Sequence, residues 1–306
     1  MWFTFALITM LAWGAADLFY KKGADENDKY SHLKTTMIVG LVMGLHAAFM
    51  LLFGDMNYDF SNILIYLPVS IMYILSMTIG YFGLKYLELS ISSPIQNSSG
   101  AVVCILCAIL LQQTMNLPSI VAVVLICVGV FLLGLFEKRK QDDYEKQNNK
   151  KYKIGFIAFM FPIFYCIIDS LGTFFDAYYL DDIALTPLRN VTELTLENVA
   201  NTSYELTFFI CALIIFIYLY FVKKEKMHLK EQKDRISAAI FETAGQFTYV
   251  YAMSDAAIVS APMVASYSIV SILLSRIFLK EKLGIAQYIS ILIVMVGIAI
   301  LGLQDA

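Results

Sequence analysis

Residues 117–153 read LPSIVAVVLICVGVFLLGLFEKRKQDDYEKQNNKKYK, and the change of character at residue 137 decides the fold. Residues 117–136 hold no charged side chain. Twenty residues at about 1.5 Å each make a helix about 30 Å long, the thickness of the hydrocarbon layer of a bilayer. Residues 137–153 then carry seven Lys and Arg. An apolar span running into a basic segment places that segment on the cytoplasmic side.

The same pattern extends in both directions. Nine further apolar stretches occupy roughly 2–20, 35–53, 62–84, 91–112, 154–175, 203–222, 236–254, 258–275 and 284–303. Counted from the N-terminus, the odd gaps between spans contain 4, 1, 7, 6 and 3 basic residues, which is 21 of the 22 Lys and Arg in the chain. The even gaps and the two tails hold only Arg189. A soluble protein has no physical reason to sort its charges in this way. With 59% hydrophobic and 15% charged residues, against about 25% charged in soluble domains, the position of the charges matters more than their net value. The expectation is an all-α polytopic protein of the cell membrane with ten transmembrane helices, basic gaps in the cytoplasm and both termini outside. Residues 2–20 lack a basic leader and a small-residue cleavage site, so they read as the first span and not as a signal peptide. The five cysteines all fall within apolar spans and read as small buried side chains, the pair Cys104 and Cys107 included.

The chain also repeats itself. Residues 94–135 lie over 262–303 without a gap, matching Pro94 to Pro262, Ser98 to Ser266, Gly129 to Gly297 and Gly134 to Gly302. In the first and sixth spans, Trp13-x-x-x-Asp17 falls on Tyr165-x-x-x-Asp169. Five spans per copy is an odd number, so the second copy enters the membrane from the opposite side. The organisation expected is a first five-helix repeat at 1–136, a charged cytoplasmic linker at 137–153, and a second repeat at 154–306. The second repeat contains an acidic external segment at 176–202, in which TELTLENVA has the pattern of a short amphipathic helix. Pro94 and Pro262 read either as helix-start prolines or as breaks near a cavity.

These features resemble the drug/metabolite transporter superfamily, and within it the ten-helix EamA-type transporters. The resemblance rests on Trp13-Gly14, on the helix from Pro262 into Leu279-Lys-Glu281-Lys-Leu283, and on Gly297 and Gly302 in the last span. The motif LKEKL looks like the family signature L-G-E-R-L. The equivalent point of the first half, Leu111-Gln-Gln113-Thr114, lacks the acid. The resemblance implies a secondary transporter with one central cavity between the halves, on whose lining helices Trp13, Tyr73, Tyr81, Tyr165 and Tyr249 lie. Many such relatives keep both termini in the cytoplasm; the charges here say the reverse.

Ionisable groups inside spans mark function by default, because a charge within a bilayer costs several kcal/mol unless it faces water or a partner. Four stand out: Asp17, His46, Asp169 and Glu242. Asp17 reads either as the i,i+4 partner of Lys21 or as a functional acid on the face that includes Thr9 and Trp13. Asp169 has no basic neighbour within a turn and shares a face with Tyr165 and Asp176. Glu242 shares a stripe with Gln246, Tyr249 and Met253, and reads either as a coupling or substrate residue or as a partner of Arg235. His46 reads as a packing residue or as a proton relay with one of the acids. The candidate substrate contacts are thus Trp13, Asp17, Tyr73, Tyr81, Tyr165, Asp169, Glu242, Gln246 and Tyr249, and the candidate proton-coupling groups are Glu242, Asp169 and His46. Acids and aromatic rings without Lys or Arg suit a small organic cation or amine, through charge and cation–π attraction. The alternative is an amino acid or another neutral or zwitterionic metabolite. No nucleophile–base–acid set, phosphate loop or metal cluster is legible, so neither catalysis, cofactor nor metal is expected. The partners expected are a small-molecule substrate and the lipid bilayer, with no nucleic acid, the protein being a monomer or homodimer.

Overall fold

The computed structural model describes residues 1–147, 152–225, 227–281 and 283–305. Lys226 and Lys282, both counted in the basic gaps, lie outside the described residues, as does the 148–151 part of the linker. Lipid offers the backbone no hydrogen bonds, so a spanning segment has to satisfy its own N–H and C=O groups, which a helix does. The described residues are helical accordingly. The elements are α1 (Trp2–Gly23), α2 (Ser31–Phe53), the single turn α3 (Asn62–Ile65), α4 (Leu67–Gly83), α5 (Leu89–Gln96), α6 (Ser99–Leu110), α7 (Leu117–Gln147), α8 (Tyr152–Leu180), α9 (Leu196–Ile217), α10 (Lys233–Ala265), α11 (Tyr267–Leu274) and α12 (Ile285–Asp305).

Eight helical segments among the described residues are long and apolar enough to cross a membrane. One of them, Lys230–Leu279, is 50 residues long, about 75 Å if straight and more than twice a bilayer. It is not straight: Ala256 (φ −161°, ψ 58°) is non-helical and turns the chain back. That segment therefore crosses twice, and α4, a 17-residue apolar helix, adds another crossing. Among the described residues the total by length and composition is the ten expected.

Boundaries differ from the sequence reading in two places. Helix α8 runs on to Leu180 and α9 starts at Leu196, so the connection between them spans 181–195 and not 176–202. TELTLENVA forms no helix of its own, because its last residues are already the first turn of α9. Likewise α7 continues as helix through residues 137–147, where a solvated linker was expected.

Helix packing follows the repeat. Helix α1 packs on α10, and their counterparts α8 and α4 pack on each other; α2 packs on α9, α7 on α12, α5 on α11 and α6 on α10. Exchanging every helix for its counterpart returns the same set of pairs. At the α7–α12 crossing, a Cβ on Gly129 would lie 3.0 Å from Ser290 O, and a Cβ on Gly297 would lie 2.7 Å from Ala122 O. The two glycines are counterparts, and so are the two carbonyls they face. Small residues at a crossing let backbones approach closely, which is how helices hold together in lipid.

The fourth and ninth crossings are both broken, in register. Helices α5 and α6 meet at Ser98, and α10 and α11 meet at its counterpart Ser266. Pro94 and Pro262 sit inside helices four residues earlier, so the helix-start reading is corrected. Ser98 Oγ donates to Pro94 O at 3.0 Å, and Ser266 Oγ to Met263 O at 2.5 Å. Each broken crossing also ends in the same turn. Gln112 (φ 54°) and Lys280 (φ 60°) are left-handed counterparts. The next residues close back on the helix, Gln113 N to Cys107 O at 3.3 Å and Glu281 N to Ser275 O at 3.4 Å. A left-handed lysine costs about 1–2 kcal/mol. Lys280→Gly is therefore expected to raise stability by about 1 kcal/mol, after allowing for the greater entropy of an unfolded glycine, read as a higher midpoint in thermal unfolding.

Gaps one, three and seven meet at one end of the bundle, as charge sorting requires, and Glu281 of gap nine joins them through the N–H groups of Leu89 and Ser90. Lys34 Nζ lies 3.0 Å from Asp28 Oδ2 and 3.1 Å from Glu225 Oε2. Lys85 Nζ donates to Asp28 O at 2.7 Å, and Arg235 donates to Ser31 Oγ at 2.8 Å and Thr35 Oγ1 at 3.2 Å. We call this the basic end.

Candidate functional site

The broken crossings meet in the middle of the bundle. A Cβ on Gly100 of α6 would lie 2.7 Å from Ala265 Cβ and 3.1 Å from Ala261 O in α10, so the two chains touch there almost without side chains. Around this contact, α1, α4, α8 and α10 enclose a cavity together with α9 and α11. Its volume is about 60 Å³, counted as space open to the centre of a water molecule. That holds a few waters, each needing about 10–15 Å³.

All nine candidate substrate residues line this one cavity: Trp13, Asp17, Tyr73, Tyr81, Tyr165, Asp169, Glu242, Gln246 and Tyr249. Their arrangement keeps the repeat. A Cβ on Gly245 would come within 2.6 Å of Trp13 Nε1, and a Cβ on Gly80 within 2.8 Å of Tyr165 Cδ2. Each of these two rings, counterparts in the repeat, thus packs against the backbone of a helix in the other half. Asp17 and Asp169 follow one turn later.

The acids bind hydroxyl groups and not bases. Asp17 Oδ2 accepts from Ser93 of α5 and Ser271 of α11, both at 2.7 Å. The ion pair with Lys21 does not form, because Lys21 Nζ donates instead to the carbonyls of Leu84 and Leu87 at 2.7 Å. Asp169 Oδ2 accepts from Ser99 at 2.8 Å. Glu242 Oε2 accepts from Tyr20 at 3.2 Å. The Arg235 pairing is likewise absent, since that guanidinium is held by Ser31, Thr35 and Gln232. Aromatic groups complete the wall. Trp13 lies 4.9 Å from Tyr249 and 5.8 Å from Tyr267 by ring centroids. The hydroxyls of Tyr73 and Tyr249 share a hydrogen bond at 2.9 Å. Three carboxyl groups line the cavity, and its lining includes no Lys, Arg or His among the described residues.

A family model for EamA-like transporters matches residues 1–135 and 195–303, one segment in each half of the chain. The chain belongs to the EamA-like transporter family. It is a multi-pass membrane transporter of the drug/metabolite superfamily. One crystal structure, described only as that of a protein, overlays this EamA-like transporter with a TM-score of 0.64 at 13% identity, covering 98% of this chain and 96% of that one. That likeness concerns the fold alone. Among curated proteins, none matches by sequence.

His46 lies elsewhere in this EamA-like transporter. Its Nδ1 is 2.8 Å from both carboxylate oxygens of Glu205, between α2 and α9 and outside the cavity lining. Sequence reading passed over Glu205, which is fully buried. Its position near the start of an apolar span, two residues after Ser203, was the available signal. Asp176 was noticed only as a face-mate of Asp169. It does not line the cavity and accepts a hydrogen bond from Tyr66. Tyr20, Tyr204 and Tyr267 also line the cavity and were not singled out as contacts. Tyr267 had a legible signal, since it follows Ser266, which the repeat had already matched to Ser98.

Proposed function

We propose that this EamA-like transporter moves a small organic cation or amine, a quaternary amine of choline size included, across the cytoplasmic membrane by alternating access in exchange for protons. The observation that carries the reading is the lining of the cavity: Asp17, Asp169 and Glu242 with Trp13, Tyr165, Tyr249 and Tyr267, and no fixed positive charge among the described residues. A cation entering such a space meets carboxylates in a low dielectric and the negative faces of aromatic rings. Protons occupy the acids when the substrate leaves, since bare carboxylates in one buried cavity repel one another. The halves 1–136 and 154–306 rock about the α6–α10 contact, opening the cavity to one side at a time. The sorting of Lys and Arg supports an orientation with the basic end in the cytoplasm and both termini outside.

A second reading, an amino acid or another neutral or zwitterionic metabolite, draws support from the amides Gln96, Asn97 and Gln246 in the same lining. Such groups serve a carboxylate and an ammonium group at once. Heat unfolding in detergent separates the two. A ligand at a hundred times its Kd stabilises the folded state by about 2.7 kcal/mol. Tetramethylammonium and choline are expected to raise the unfolding midpoint while leucine and glutamine leave it unchanged. The reverse result selects the second reading.

A further inference from the structure

The two broken crossings are tied down at matching points by different chemistry. At the basic end, the carboxylate of Glu281 accepts the backbone N–H of Leu89 and of Ser90, both at 3.1 Å. These are the first two residues of α5, and their N–H groups have no partner within the helix. At the opposite end, Gln113 Oε1 accepts the N–H of Ile258 at 3.2 Å, just past the Ala256 break where the ninth crossing starts. Gln113 is the repeat counterpart of Glu281, and Ile258 is the counterpart of Ser90. The residue before each is left-handed, Gln112 and Lys280, and each turn closes with the same backbone bond. Two copies of one device thus sit at opposite ends of the two broken crossings.

They differ in strength. Glu281 is charged, takes two N–H groups and faces the positive end of α5, and charge-assisted bonds are about twice as strong as neutral ones. Lys21 holds the carbonyls of Leu84 and Leu87 just ahead of the same helix. Gln113 is neutral, takes one N–H group, and its amide nitrogen is held by Asp181. Both latches are made in the structure.

We infer that Glu281 and Gln113 are reciprocal latches of the transport cycle: each must release its half-helix for the cavity to open at its own end, and the stronger Glu281 latch biases the resting protein toward opening at the end away from the basic residues. Both are positioning residues, since neither lines the cavity. The inference rests on the alternating-access reading. It gives a physical role to the acid of the LKEKL motif and accounts for its replacement by an amide in the first half, where a weaker tie suffices.

Hydrogen–deuterium exchange of the full chain in nanodiscs tests it, comparing peptides over 84–92 and 252–260. Glu281→Met is expected to speed exchange in 84–92 by about tenfold, which corresponds to about 1.4 kcal/mol, and at the same time to slow exchange in 252–260. Gln113→Met is expected to do the reverse, with smaller changes. Glu281→Gln, which copies the chemistry of the other end, is expected to fall between Glu281→Met and the wild type and guards against misfolding of the harsher variant. A plain helix cap alters only its own end, so opposite changes at the two ends support the latch. Local changes alone, with tetramethylammonium uptake by wild-type proteoliposomes intact, overturn the latch and leave the transporter reading standing. Local changes alone with no uptake overturn both.

Discussion

Glu242→Gln is expected to lower tetramethylammonium uptake by proteoliposomes by at least about a hundredfold, while the thermal unfolding midpoint moves by no more than a few degrees. The substitution keeps the shape of the side chain and the hydrogen bond to the Tyr20 hydroxyl. It removes a charge from a buried position that faces the cavity. Losing one member of a buried ion pair costs about 3–5 kcal/mol, and each 1.4 kcal/mol is about tenfold in affinity. Uptake of tetramethylammonium at several concentrations checks the prediction; a variant within threefold of the wild type would remove Glu242 from the site. Asp169→Asn is the parallel test, since the amide oxygen can still accept from the Ser99 hydroxyl at the start of α6.

Gly297→Val should destabilise the protein by about 3 kcal/mol, at the upper end for overpacked interiors. Even a single Cβ at this position would lie 2.7 Å from the carbonyl of Ala122 and 2.8 Å from Ile126 Cγ1. The carbonyl belongs to the α7 backbone and cannot turn aside, so the helices have to separate. Thermal unfolding in detergent measures the loss. Leu303→Val on the same helix is the control, since Leu303 is 81% exposed within the bundle, and it should be nearly neutral. Ile126→Ala added to Gly297→Val is expected to recover part of the loss, because the two side chains compete for one space, and contacting residues couple by about 0.5–3 kcal/mol.

Much of the cavity was legible before any coordinates. Trp13 and Asp17 were placed by helical spacing, Tyr165 and Asp169 by the repeat, and Glu242, Gln246 and Tyr249 by a single stripe along α10; all seven face the same space. Local rules did less well with charges. The four-residue spacing of Asp17 and Lys21 suggested an ion pair, yet the lysine reaches the carbonyls at the end of the α4 segment, and the aspartate turns to serines of α5 and α11. Spacing along a helix says which groups share a face. It does not say which neighbouring helix offers a better partner.

The sequence by itself determined the helical membrane fold, the number of crossings and the sorting of one end from the other. Each of these is settled segment by segment, because lipid demands that every span satisfy its own backbone and that Lys and Arg stay out of it. The tertiary structure decided what depends on two distant segments meeting. It brought Glu205 to His46 across 159 positions of chain, and it seated Trp13 on Gly245 and Tyr165 on Gly80. It also showed that Glu281 and Gln113, which differ in the one-dimensional motif, hold equivalent N–H groups in three dimensions. Such contacts follow from how ten helices pack on one another, and no window of sequence contains both partners.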